Sequence, residues 1–275
     1  MRRFVLCLCG LWLACSACAG TEETIVAAAA PEAPPAAAGA RRAETRHFRT
    51  NSGSVLVYTP TGYDPAKAGI VVYVHGYYTD AARAWKEHRL DRQFADSNRN
   101  AVFIAPEAPR GPRDPVAFSD LSRLLRIVER GLRQSLPQGP IVVVGHSGAY
   151  RTLARWLEHP RVRTIVLLDA CYEDPQGFAR WLEFDPARRL ILVTVHTLSL
   201  SEALLARFPF AVRREGIPDR YYPPFAQEER RARLLYILSQ FDHFGLVEEG
   251  AVIPSLLEIC DLADIPRERP RLPWQ

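Results

Sequence analysis

Ser147 sits in Gly145-His146-Ser147-Gly148-Ala149, directly after the apolar run Ile141-Val142-Val143-Val144. Tyr150 to Leu157 follow with apolar residues at helical spacing. Four branched apolar residues read as a buried strand, so the serine falls at the apex of a strand-to-helix turn. A nucleophilic serine is held on such a turn, and the positions two before and two after it must then be small. Gly145 meets that need, and Ala149, which stands where G-x-S-x-G has its second glycine, adds only a methyl. The following helix N-terminus points amides at the turn and favours negative charge developing there. The chemistry such a serine would perform is nucleophilic attack on an acyl carbon. The plain alternative is a serine in an ordinary strand–helix connection.

The elements that would position this serine begin near His47. Ser54–Tyr58, Ile70–Val74, Ala101–Ala105, Val162–Leu168, Leu190–Val195 and Ala232–Leu238 read as further strands, with Pro106 stopping the third of these. Helices are expected over Leu90–Ser97, Phe118–Leu136 and Phe178–Phe184, with a closing helix over Leu246–Leu262. Near-continuous apolar strands separated by helices predict an α/β fold, with a mostly parallel central sheet covered by helices on both faces.

This order of elements, with the Ser147 turn, resembles the α/β-hydrolase superfamily of serine esterases and lipases. The resemblance runs from about His47 to the C-terminus, and it implies a Ser–acid–His chain order. On that basis His243, in Ser239-Gln240-Phe241-Asp242-His243-Phe244-Gly245 after the last strand, is the candidate base. His159 lies at a helix end and His196 follows an earlier strand. The acid has two candidates. The family's commonest acid loop here reads His196-Thr197-Leu198-Ser199-Leu200-Ser201-Glu202, whose one carboxylate, Glu202, looks like helix N-terminal decoration capped by Ser199 or Ser201. Asp169 instead ends the strand beside the serine strand, where ligands gather in parallel sheets, and pancreatic-type lipases are similar in taking their acid after this earlier strand. Asp169 is preferred; Glu202 stays as the alternative, with Glu173, Asp174 and Asp242 behind.

The resemblance also implies an oxyanion hole of two backbone amides: Gly148, after the serine, and Tyr77 in Val74-His75-Gly76-Tyr77-Tyr78. Gly76 lets that loop turn inward, while His75 braces it and His146 packs beside Ser147. The short link after Asp169 leaves no room for a large cap domain, and the stretches Pro106–Pro115 and Pro209–Phe225 are candidates for pocket walls. Together these imply a serine hydrolase working through Ser147, His243 and Asp169 without a cofactor. The expected partner is a small-molecule or lipid-like acyl substrate, most simply a carboxylic ester. A peptidase or amidase acting on envelope material, and a catalytically silent ligand-binding lipoprotein, are the other readings.

Composition limits the remaining possibilities. In 275 residues the chain carries 35 Lys and Arg against 31 Asp and Glu, which gives no argument for nucleic acid. No Cys/His spacing suggests a metal site. Arg2-Arg3 followed by Phe4–Ala14 reads as a secretory leader, so residues 1–19 are expected to direct export. Cys15-Ser16-Ala17-Cys18 resembles a lipobox, with Cys18 or, less well, Cys15 as the lipidated residue of a periplasmic or cell-envelope lipoprotein. Ala17-Cys18-Ala19 equally suits ordinary cleavage and secretion. Residues 20–45 are Ala- and Pro-rich and read as a disordered tether, with the hydrolase-type domain over 46–275. Four of the six cysteines fall in the leader, and Cys171 and Cys260 are either paired or buried thiols. If lipidation anchors the protein, Cys18→Ala or Cys15→Ala should release it from the membrane fraction. Fractionation of both variants like wild type would reject the anchor.

Overall fold

The computed structural model describes residues 42–173 and 175–266, together with the short strand Val26–Ala27. The expected leader, both candidate lipidation cysteines and Asp174 lie outside these residues. Ten strands form one sheet: β1 (Val26–Ala27), β2 (Glu44–Thr50), β3 (Gly53–Thr59), β4 (Gly69–Val74), β5 (Ala101–Pro106), β6 (Ile141–His146), β7 (Val162–Leu168), β8 (Arg189–Thr194), β9 (Val212–Glu215) and β10 (Leu234–Leu238). Their order across the sheet is β1-β2-β3-β5-β4-β6-β7-β8-β10-β9. The pairs from β1 to β3, and β3 with β5, are antiparallel, and every pair from β5 to β9 is parallel.

The helices are α1 (Ala81–Glu87), α2 (Leu90–Asp96), α3 (Leu121–Leu132), α4 (Tyr150–Arg155), α5 (Pro175–Phe184), α6 (Leu198–Leu205), α7 (Gln227–Arg231), α8 (Gly245–Glu248) and α9 (Val252–Glu258). Side chains alternate across the sheet. Ile70, Val72, Ile141, Val143, Ile165, Leu167 and Leu192 join a core with α3, α4, α5 and α6. Val71, Tyr73, Val142, Val144, Val166, Leu168 and Ile191 join a second core with α1, α2, α8 and α9. Both faces being dry explains why these strands are unbroken apolar runs. The parallel α/β sheet is therefore as the sequence implies. A short loop joins β7 to α5, with no domain inserted there.

Several elements differ from the sequence expectation. β2 has one fully buried side chain, Phe48, and β9 is the charged edge strand Val-Arg-Arg-Glu, so neither carries an apolar signal. β2 begins at Glu44, and β1 pairs with its Phe48–Arg49, so strand lies within the stretch read as tether. Pro106 ends β5 from inside the strand. The expected closing helix is two helices. Pro254 lacks the N–H a helix interior requires and falls in the first turn of α9, while Gly250, at φ +77°, turns the chain between α8 and α9. Cys171 and Cys260 are buried free thiols in the two different cores, so the sheet separates them. Among the described residues no helix is long and apolar enough to cross a membrane.

The turn after β6 is sterically full. A Cβ on Gly145 would lie 2.8 Å from Leu153 Cδ2 and 3.1 Å from Ala149 Cβ. Ala149 fits because Gly145 leaves space for its methyl. Gly145→Ala is expected to cost about 1–3 kcal/mol of stability through overpacking, read as a lowered urea midpoint with an unchanged m-value.

Candidate active site

At the end of β6 the chain reverses into a single 3₁₀ turn, Ser147–Ala149, before α4 begins. Ser147 has φ +53°, a left-handed conformation costing a non-glycine residue about 1–2 kcal/mol. The loop after β4 closes on it. A Cβ on Gly76 would stand 3.0 Å from Ser147 Cβ and 3.1 Å from the His146 carbonyl oxygen, so only glycine lets this loop approach so closely. The Tyr77 ring lies over Gly148, where a Cβ would meet it at 2.5 Å. The two expected oxyanion donors, the amides of Tyr77 and Gly148, thus belong to segments in contact beside Ser147. The Tyr77 N–H has no acceptor among the described residues. Its neighbour Tyr78 donates to the Arg110 carbonyl at 2.7 Å.

His75 holds this loop through both ring nitrogens: Nδ1–H donates to the Gly76 carbonyl at 2.7 Å, and Nε2 accepts from the Ala108 amide at 2.9 Å. The residue is 1% exposed, which fits a brace and not a group meeting substrate. Arg151, one residue into α4, donates to the carbonyls of Gly111, Pro112 and Asp114, tying the helix after Ser147 to the loop after β5. On the other side Gln240 donates to the Ile217 carbonyl and accepts from its amide, so the segment after β9 supports the loop carrying His243.

Asp169 and His243 come together. Asp169 follows β7 at φ +44° and is fully buried. Its Oδ1 accepts from the amides of Val195, His196 and Thr197 at 3.0, 2.9 and 3.0 Å, and from Thr197 Oγ1 at 2.9 Å. Oδ2 accepts from His243 Nδ1 at 2.7 Å. Burial alone would raise the carboxyl pKa, but the hydrogen bonds from His243 and the three amides outweigh it and hold the group below the ordinary carboxylate range. With Nδ1 protonated toward Asp169, a neutral His243 presents an unprotonated Nε2.

Glu202 is elsewhere. Its carboxylate makes two 2.7 Å bonds to the Arg213 guanidinium in an exposed pair, and Thr197, not Ser199 or Ser201, takes the N-cap position of α6. Asp242 is likewise turned aside, accepting from the Gly245 amide at 2.7 Å. His146 Nε2–H donates to the His243 carbonyl at 2.9 Å, and burial, then the nearby His243, lowers its pKa to about 3, so it stays neutral.

Two neighbours carried no sequence signal. The His196 ring stacks on His243, centroids 5.4 Å apart, and its Nδ1 lies 3.4 Å from Asp169 Oδ2. Tyr172 lies near Ser147. Among the described residues no hydrogen bond joins Ser147 to His243. His196 was findable only by its place in the loop after β8, where this fold commonly keeps its acid; nothing marks Tyr172 but its place three residues past Asp169. Asp169, His196 and His243 have possible ligand atoms within 4.8 Å of one another. An ion there would compete with the Asp169–His243 hydrogen bond, and Oδ1 is already filled by four donors.

Asp169 should set the acid limb of stability. Its folded pKa is depressed, so the stability it contributes is present above its unfolded pKa of about 3.9 and is lost as pH falls from there through the folded value. Denaturant melts between about pH 5 and pH 2 should show a steeper loss for wild type than for Asp169→Asn, which is less stable at neutral pH but flatter. Parallel curves would contradict this account.

Known proteins agree with this layout. Residues 71–269 match the model of the alpha/beta hydrolase family. The sequence has no significant match among curated proteins. Among solved structures it is similar to a mutant feruloyl esterase module from Clostridium thermocellum complexed with sinapinate, at 15% identity and a TM-score of 0.52, over 78% of this chain and 88% of that one. It is also similar to an S-formylglutathione hydrolase from Staphylococcus aureus, at 11% identity and TM-score 0.52, over 82% and 100%. A third likeness is to a hyperthermophilic esterase from the archaeon Pyrobaculum calidifontis, at 14% identity and TM-score 0.50, over 82% and 88%. Identities this low speak to the fold. The family match spans well over half of the chain, which therefore belongs to the α/β-hydrolase family.

Proposed function

We propose that this chain is an exported serine hydrolase that cleaves a carboxylic ester through an acyl-enzyme. The observation carrying this reading is the pairing of a left-handed Ser147 at the strand–helix turn with a His243–Asp169 hydrogen bond at the same end of the parallel sheet. Ser147 Oγ attacks the carbonyl carbon as His243 Nε2 takes its proton, and Asp169 orients and stabilises the imidazolium. The tetrahedral oxyanion is held by the Tyr77 and Gly148 amides. Collapse breaks the C–O bond, and the leaving alkoxide takes the proton from His243. Water, deprotonated by His243, then attacks the acyl carbon and returns Ser147 to its free form. Solved neighbours named as esterases support an ester as substrate. Export rests on the basic–apolar leader.

A domain that binds an acyl ligand without turnover is the second reading. Its support is that Ser147 makes no hydrogen bond to His243 among the described residues. A fluorophosphonate probe separates the two. Labelling of wild type but not of Ser147→Ala is expected; no labelling of wild type, or equal labelling of both, rejects the hydrolase. On a chromogenic ester Asp169→Asn should lower kcat by about 10³–10⁴-fold, because the imidazole loses its fixed tautomer. Glu202→Gln, which loses only an exposed ion pair, should stay within about twofold of wild type. The reverse ranking would move the acid to Glu202.

A further inference from the structure

The opposite end of the sheet carries a second concentration of charge. Arg161, Arg163, Arg188, Arg189, Arg231 and Arg233 line one cavity of about 640 Å³ at the N-terminal ends of β6, β7, β8 and β10. The one carboxylate lining it is Asp261, and Asp185 pairs with Arg163 at 2.5 Å. Glu129 acts on the charge of Arg161, so six guanidinium groups stand against three carboxylates and leave a local surplus of three positive charges.

Hydrogen bonding here is largely met, but charge is not. Arg161 donates to the carbonyls of Pro137 and Gly139, Arg188 to Trp181, and Arg233 to Leu182 and Asp185. Arg189 reaches the carbonyls of Glu229, Ala232 and Ile259. Peptide carbonyls fix the direction of a guanidinium without neutralising it. Burial works against the cations of Arg161, Arg188 and Arg189, lowering each pKa. Arg231 is exposed and has no carboxylate or hydrogen-bond partner among the described residues. With Arg163 and Arg188, which each use one terminal nitrogen, it keeps donors free at the cavity.

We propose that this cavity binds a phosphoryl oxyanion, as free phosphate, a phosphate ester or a lipid headgroup. Guanidinium forks match tetrahedral oxyanions with paired charge-assisted hydrogen bonds. A group carrying two or more negative charges offsets the surplus, where a monocarboxylate would leave most of it in place. The site is separate from Ser147, so its occupancy adds stability and localisation and takes no part in ester chemistry.

The test uses thermal unfolding at constant ionic strength, with sodium pyrophosphate or inorganic phosphate titrated against sodium chloride. A saturable rise in Tm with pyrophosphate is expected, with apparent affinity weakened at least about tenfold in Arg163→Gln/Arg231→Gln. Arg231→Glu, a change at an exposed unpartnered residue, keeps the test open if the double variant folds poorly. Co-sedimentation with phosphatidic acid vesicles, and not phosphatidylcholine vesicles, assigns a lipid phosphomonoester headgroup as ligand if the variants lose it. A pyrophosphate response without sedimentation assigns a soluble phosphate. No response beyond chloride and no sedimentation, or a response unchanged in both variants, overturns the proposal.

Discussion

The Asp169 carboxylate, buried at the end of β7, is the constraint on which the candidate site depends. A buried carboxylate is costly unless its lone pairs are filled, and here all the filling comes from other segments. Three consecutive amides after β8 and the Thr197 hydroxyl converge on one oxygen, and His243, after β10, takes the other. One anion therefore fixes the ends of three neighbouring strands relative to each other. Removing it would leave several donors unpaired at once, a loss larger than that of any single bond among them.

Four of the seven described non-glycine residues with positive φ also lie at this end, while Arg89, Asn98 and Arg133 lie at helix ends. Ser147, Asp169 and Glu173 all have positive φ without being glycine. Residues in such conformations persist only where their surroundings over-determine them. Asp169 is over-determined by its five donors. Ser147 is over-determined sterically, by Gly76 on one side and the Gly145–Ala149–Leu153 contact on the other. This strain and the polar network sit at the C-terminal ends of the strands, while the two apolar cores below carry the fold.

Much of this was legible in the sequence, for identifiable reasons. The central strands β4 to β8 are dry on both faces, so each announces itself as an apolar run, and the turn at Ser147 is written in the small residues that sterics demand. His243 and Asp169 were legible through the order of elements around them. Glu202 stayed in contention because sequence shows which loop follows β8 but not where its amides point. In the structure that loop supplies three N–H donors to the Asp169 carboxylate after β7, while Glu202 turns to Arg213. His196 and Tyr172 escaped because their roles depend on ring placement, which has no periodicity. β2 and β9 escaped because polar edge strands lack the alternation that marks a buried one.

The position of His243 also decides which group must move for the proposed chemistry. Its Nδ1 is bound to Asp169, its carbonyl accepts from His146, and its ring lies between those of His146 and His196. A ring so held has little freedom to approach a nucleophile. Ser147 has a fixed backbone but a hydroxyl on one rotatable bond. Turning χ1 is a local rotamer step, small beside the cost of breaking the Asp169–His243 bond. Under the proposed mechanism the serine hydroxyl therefore turns to the imidazole as the acyl group enters.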